Sequence, residues 1–230
     1  MDFLLILVRQ YLNTSSKDTK VILMSATMDS QRFANYFRRP SIDVPIINMK
    51  EQRIFSITKY FLDDVSQKNS KIIDDYEKPG ISEEMMSLAS EIIFERVKCD
   101  KKSSILVFLP GFWEIENFEN SLRNKFDVLQ NFELIVLHSS LPPESQKLAF
   151  KCDDRPKIIL STNIAENSVT IPKVNVVVDF CLTKYLVAST NSNLASLELN
   201  WTSKMSSEQR AGRTGRVCDG TVYHLSLIHI

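Results

Sequence analysis

KIILSTNIAENSVTIPKVNVVV, residues 157–178, holds the pattern that decides the fold. Its two ends, KIIL (157–160) and VNVVV (174–178), are short apolar runs rich in Val and Ile. A strand with one face in water alternates apolar and polar residues; an unbroken apolar run suits a strand covered on both faces, as in a parallel sheet. Three further runs read the same way: VILM (21–24), ILVFL (105–109) and ELIVL (133–137). Between them lie amphipathic stretches of helical period: DSQRFANYFRR, SEEMMSLASEIIFERV, WEIENFENSLRNKF and PPESQKLAF. Buried strands alternating with helices predict an α/β fold, a parallel sheet flanked by helices.

In such a sheet ligands bind beyond the carboxyl ends of the strands, so the residues after each run matter most. VILM leads into Ser25-Ala26-Thr27, ILVFL into Pro110-Gly111, ELIVL into His138-Ser139-Ser140, and KIIL into Ser161-Thr162-Asn163. Hydroxyls and exposed backbone N–H groups there grip phosphates. Ser, Thr, Asn and Gly also make ordinary turns and caps. Four such ends in one sheet point to a polar rim with a task.

Bulk composition limits the options. Apolar residues make up 43% and charged residues 24% of the 230, as in a soluble globular protein. Lys+Arg and Asp+Glu are 28 each, so nucleic-acid binding has to come from a local patch. Cys99, Cys152, Cys181 and Cys218 form no C-x-x-C, which argues against zinc and is compatible with free thiols in a reducing compartment. No apolar run reaches the roughly 18 residues of a membrane span. MDFLLILVRQYL lacks a basic leader and a small-residue cleavage site, and is read as the start of a buried helix. Residues 38–53 carry two prolines and no helical period, after which FSITKYFLDDV restarts a strand pattern. A domain boundary is therefore placed near residue 48. Residues 63–82, with Asp63-Asp64, Asp74-Asp75 and Pro79-Gly80, read as a solvated loop whose acids are not metal ligands.

QRAGRTGR, residues 209–216, spends two of the chain's five glycines beside three arginines spaced three apart. With a helix start at Ser206-Ser207, Arg210, Arg213 and Arg216 would form one cationic ridge, with Gly212 and Gly215 opening a neighbouring face to close approach. Guanidinium groups bind phosphate oxygens in a bidentate manner and stay charged at neutral pH. A basic solvent-facing helix and a phosphate-gripping one both remain open on these residues alone.

The motifs SAT (25–27), FLPG (108–111), STNIAENSVTIPKV (161–174) and QRAGRTGR occur in that order. Together they resemble the C-terminal motifs of superfamily 2 helicases, specifically the DEAH-box RNA helicases, over nearly the whole chain. VVVDFCLTKYLVASTNSNLASLELNWTSKMSSEQRAGRTGR (176–216) is most similar to the germline members that also carry a tudor domain. The resemblance implies a RecA-like helicase C-terminal domain (48–223) preceded by the tail end of the first RecA-like domain (1–47). Residues 224–230 are set apart as a tail that departs from the family pattern and is read as non-native; Val217 and Asp219 depart from the pattern within the motif's end.

What the resemblance implies about residues is specific. Gln209 positions the attacking water, and Arg213 and Arg216 reach the β- and γ-phosphates of ATP. Arg210, at the ATP cleft, is the more structural of the three, paired with an acid. Ser25 and Thr27 couple hydrolysis to domain movement. Thr162 and Asn163 lie near the RNA backbone, Gly111 in a loop along RNA, and Ser139 with Ser140 on the rim. Residues 182–199 form a strand-separating β-hairpin. His138, His224 and His229 are poor catalytic candidates. The partners implied are RNA, ATP with Mg2+, and piRNA-pathway proteins bound through other regions, in cytoplasmic germ granules. No metal ligand is assigned within the chain. The sequence contains no G-x-x-x-x-G-K-[ST] and no Asp-Glu-x-His, so it reads as a fragment unable to hydrolyse ATP alone. The competing expectation is a non-catalytic, helicase-like RNA-binding or scaffolding module.

Overall fold

The computed structural model describes residues 2–14, 19–25, 29–39, 43–48, 54–65, 78–99, 104–125, 132–151, 155–166, 171–188 and 195–226. They divide into two compact units, Met1–Gln52 and Arg53–Ile230, a few residues beyond the boundary read from the sequence.

The first unit contains helices α1 (Asp2–Thr14) and α2 (Ser30–Phe37). The side chain of Asp29 caps α2 by accepting from Arg32 N at 3.1 Å, satisfying a donor the helix cannot. The guanidinium of Arg9 on α1 lies 4.7 Å from the ring centre of Tyr36 on α2. Two expectations fail here. α1 is a helix, but it is not buried: Leu5, Val8 and Leu12 are half-buried, whereas Phe3, Leu4, Ile6 and Leu7 are exposed, Phe3 at 84%. VILM enters no ladder, and Met24 is 87% exposed. An apolar run becomes a parallel strand only when a neighbour supplies hydrogen-bond partners on its flank.

In the second unit six strands form one sheet in the order β1-β8-β5-β2-β4-β3, every pair parallel. The strands are β1 (Ile57–Phe61), β2 (Ser104–Phe108), β3 (Glu133–Leu137), β4 (Lys157–Ser161), β5 (Val174–Asp179) and β8 (Gly220–His224). Four of the five apolar runs are thus strands. β2 and β4 are buried at every residue, whereas the edge strand β1 alternates between half-buried and exposed.

Helices α4 (Glu83–Cys99) and α5 (Phe112–Lys125) cover one face. Met85, Leu88, Ile93, Phe118 and Leu122 pack there against Ile105, Val107 and Val178. On the other face Leu106, Phe108, Ile159 and Val177 meet Ala149 of α6 (Pro143–Phe150), Ala165 and Ala211. The alternation of faces along β2 follows from the two-residue period of a strand.

Beyond β5 the chain leaves the sheet as an antiparallel ribbon, β6 (Leu182–Ala188) paired in register with β7 (Ala195–Trp201). It then enters α7 (Lys204–Ala211) and returns to the sheet as β8. Two placements differ from the sequence reading. Asp63 and Asp64 lie in a short helix, α3 (Leu62–Val65), where Asp64 Oδ2 accepts from Phe61 N at 2.8 Å. His224 ends β8 and is buried, as are Leu225 and Ser226, so these three belong to the core and not to a tail.

Candidate functional site

The parallel register lines up the carboxyl ends of all six strands. Phe61 pairs with His224, His224 with Asp179, Asp179 with Phe108, Phe108 with Ser161, and Ser161 with Leu137. Three of the four polar strand ends read from the sequence lie in the turns just past this row; the fourth, after VILM, belongs to the first unit and not to this sheet. Gly111 follows β2, Thr162 and Asn163 follow β4, and Ser139 with Ser140 follow β3, three consecutive strands of the sheet. Asn163, Ser139 and Ser140 are exposed, whereas Thr162 is buried and its N–H donates to Leu137 O at 3.3 Å. The ring of His138 is held by Ser140 Oγ at 2.6 Å, and burial lowers its pKa. Ser25 is exposed in the first unit. Thr27 lies outside the described residues, as does His229.

The arginine motif does not form a helical ridge. Ser203 caps α7 by accepting from Ser206 N at 3.1 Å, and the helix closes at Ala211 with Gly212 as its cap. Gln209 and Arg210 are on the helix; Arg213 and Arg216 follow in a loop. Of the two glycines, Gly215 is the one the loop requires. Gly215 has φ +71°, and a Cβ there would meet Ile57 Cγ1 of β1 at 2.5 Å. Such a backbone conformation strains any residue with a side chain. Gly212 has neither constraint.

Arg210 is 1% exposed and ringed by acceptors. Its Nη1 donates to Asp179 Oδ1 at 2.8 Å and to Leu182 O at 3.3 Å, and its Nε to Glu166 Oε2 at 3.2 Å. A buried charge of this kind is tolerable only with such partners. Burial by itself would raise the pKa of Asp179, but the Arg210 guanidinium and His224 outweigh it and hold the carboxyl well below the usual range. Burial alone would lower the pKa of Arg210, and the charges of Asp179 and Glu166 reverse the sign. Asp179 is further held by Ser207 Oγ at 3.2 Å, His224 Nδ1 at 3.4 Å and Cys181 N at 2.9 Å.

Asp179, Cys181 and His224 each bring one donor atom within 4.8 Å of the others. The set does not fit a resident cation. Arg210 already neutralises the carboxylate, with Nη1 2.8 Å from Asp179 Oδ1, and burial, then the Asp179 charge, raises the Cys181 pKa.

Arg213 is half-buried, and its Nη2 donates to the backbone oxygen of Glu166 at 2.7 Å. Burial, then the charge of Arg216, lowers its pKa. Arg216 is exposed, and its Nε donates to Gly212 O at 3.1 Å. Arg210 and Arg213 thus converge on one residue, Glu166, one at its carboxylate and the other at its carbonyl. Glu166 closes the 3-10 turn (Asn163–Glu166) that begins at the rim. The motif arginines and the Thr162-Asn163 turn are thereby one connected structure.

Sequence reading missed Asp179, Glu166, Ser207 and His224. One signal was available: an acid ending a valine-rich run that reads as a buried strand, VNVVVD, has to be paired.

A family described as "Helicase conserved C-terminal domain" matches residues 84–218. A protein of Culex quinquefasciatus and one of Aedes aegypti, each described as "Probable ATP-dependent RNA helicase spindle-E", are 41% and 39% identical over 98% of this chain. The chain spans 18% of the length of each. The crystal structures of the E. coli DExH-box NTPase HrpB and of the Escherichia coli DEAH/RHA helicase HrpB superpose with TM-scores of 0.72 and 0.74 at 26% identity. They cover 98% of this chain, which spans 25% and 26% of theirs. Among the described residues no helix is long and apolar enough to cross a membrane.

Proposed function

The chain belongs to the helicase conserved C-terminal domain family, and from that premise we propose that it is the C-terminal RecA-like part of an ATP-dependent RNA helicase of the spindle-E type. The observation that carries the reading is the convergence of Arg210 and Arg213 on Glu166. A buried, ion-paired Arg210 fixes α7, and the glycine-bearing loop beyond it presents Arg213 and Arg216 toward a polyphosphate. Both loop arginines donate here to backbone carbonyls, contacts that a phosphate oxygen would replace with a charge-assisted hydrogen bond.

Arg213 and Arg216 stabilise the charge that develops as the γ-phosphoryl group departs, and Gln209 orients the attacking water. Arg210 acts through the other two. RNA lies along the turns after β2, β4 and β3, against Gly111, Thr162, Asn163 and Ser139. Movement passes between the sites through the Thr162–Glu166 turn, with Ser25 and Thr27 doing the same for the first unit. The 230 residues contain neither G-x-x-x-x-G-K-[ST] nor Asp-Glu-x-His, so we assign the phosphate-cradling lysine and the magnesium ligands to the rest of the full-length protein. The chain alone is then inactive. The likeness of residues 176–216 to germline tudor-domain helicases supports a role for the full-length protein in piRNA-guided transposon silencing in cytoplasmic germ granules, with RNA and piRNA-pathway proteins as partners.

The test is RNA-stimulated ATP turnover by the full-length protein, with the isolated chain as the baseline. Arg213→Ala should reduce turnover by about a thousandfold or more, since such arginines act in the transition state. ATP affinity should stay within roughly tenfold. Unchanged turnover in the variant removes the assigned role. A wild-type protein that binds RNA without turnover makes it a non-catalytic scaffold instead.

A further inference from the structure

Gly111 stands at the turn between β2 and α5, and the space its side chain would need is already taken. A Cβ there would lie 2.7 Å from Glu114 Oε2 and 2.9 Å from Lys184 Nζ. These two groups form an ion pair, Lys184 Nζ lying 2.8 Å from Oε1 and 2.9 Å from Oε2 of Glu114. The side chains are 28% and 18% exposed, so the pair is less screened than one on an open surface. Glu114 is in the first turn of α5, where the helix dipole favours an anion.

The pair joins two regions that the chain separates by 70 residues. Lys184 is the third residue of β6, at the point where the ribbon leaves the body: Leu182 and Thr183 are buried, Lys184 half-buried, and Tyr185–Ala188 exposed. Outward of Lys184 the described residues of the ribbon pair only with each other. A two-stranded ribbon by itself is marginal in water. Its direction is therefore set at its root. There Arg210 of α7 grips Leu182 O, Thr202 N donates to Cys181 O at 2.8 Å, and Glu114 of α5 grips Lys184.

We propose that the Lys184–Glu114 pair, seated in the space left by Gly111, is a latch that fixes the β6–β7 ribbon over the rim and makes Lys184 and Glu114 positioning residues for strand separation. This rests on the RNA-helicase reading above. The latch ties the ribbon to the turn assigned to RNA, while Arg210 ties it to the helix assigned to ATP.

The experiment uses the full-length protein with Lys184→Met, Glu114→Gln and the reversed pair Lys184→Glu/Glu114→Lys. Each single variant should speed hydrogen exchange of the 182–188 and 195–201 amides by about threefold to tenfold and leave β2 and β4 unchanged. Duplex unwinding should fall by a similar factor while RNA-stimulated ATP turnover stays within about twofold, because the phosphate-facing groups are untouched. The reversed pair should lie closer to wild type than either single variant in both exchange and unwinding. Unchanged exchange in the ribbon overturns the latch, and so does an increase that spreads through β2 and β4. If the wild-type protein unwinds nothing, the helicase reading falls, and the exchange measurement still decides the latch.

Discussion

Residues 204–211 and residues 212–218 share one arginine repeat, yet the first stretch is a helix that buries its arginine and the second a glycine-bearing loop that keeps its arginines near the surface. Arg210 spends its charge inside the protein, on Asp179 and Glu166. Arg213 and Arg216 donate to backbone carbonyls, those of Glu166 and Gly212. Spacing in the sequence made the three look equivalent; burial makes them different. One arginine holds the frame, and the others are what the frame presents.

Measurements that break or sharpen this contrast run from large to small. The largest is the loss of turnover at Arg213, at least about 4 kcal/mol of transition-state stabilisation, without loss of the fold. Arg210→Ala should act on the fold itself. It leaves two acids without their buried partner, at a cost of about 3–5 kcal/mol. Native-state hydrogen exchange at β5 and β8 in the full-length protein reads this directly; a change under about 1 kcal/mol would erase the distinction between frame and finger. Gly215→Ala forces a side chain into a left-handed conformation against Ile57 and should cost about 1–3 kcal/mol by the same readout. Gly212→Ala, with ordinary φ and room for a Cβ, is its control. Arg216→Ala should be smallest for stability, within about 0.5 kcal/mol, because its side chain is exposed. A larger loss would put Arg216 with Arg210.

Much of the second unit was legible because its signals are local. ILVFL, ELIVL, KIIL and VNVVV are almost wholly apolar because β2, β3, β4 and β5 pack against helices on both faces, and the turn residues after them fall on one rim. VILM carries the same signal and is not a strand, since a ladder is made by neighbours and not by the run itself. The arginine repeat misled for a related reason. A period of three fits a helix, but Gly212 and Gly215 end it, and only the contact with Ile57 shows what Gly215 is for. The acid partners of Arg210 were invisible because Asp179 and Glu166 lie 31 and 44 residues away and meet it only through the sheet. His224 was set aside by its position near the end of the chain, where in fact it stands in the row of strand ends between Phe61 and Asp179.

The strand order carries a consequence for synthesis. β8 is the last described strand to leave the ribosome, yet it sits between β1 and β5. Until it arrives, β1 has no partner in the sheet and β5 presents a bare apolar edge. The nascent domain therefore spends the translation of roughly forty residues, from the end of β5 to β8, with a sticky flank that a chaperone or another chain can bind. A ribosome stalled before residue 220 releases an open sheet, and quality control would see the missing strand before it saw a missing activity.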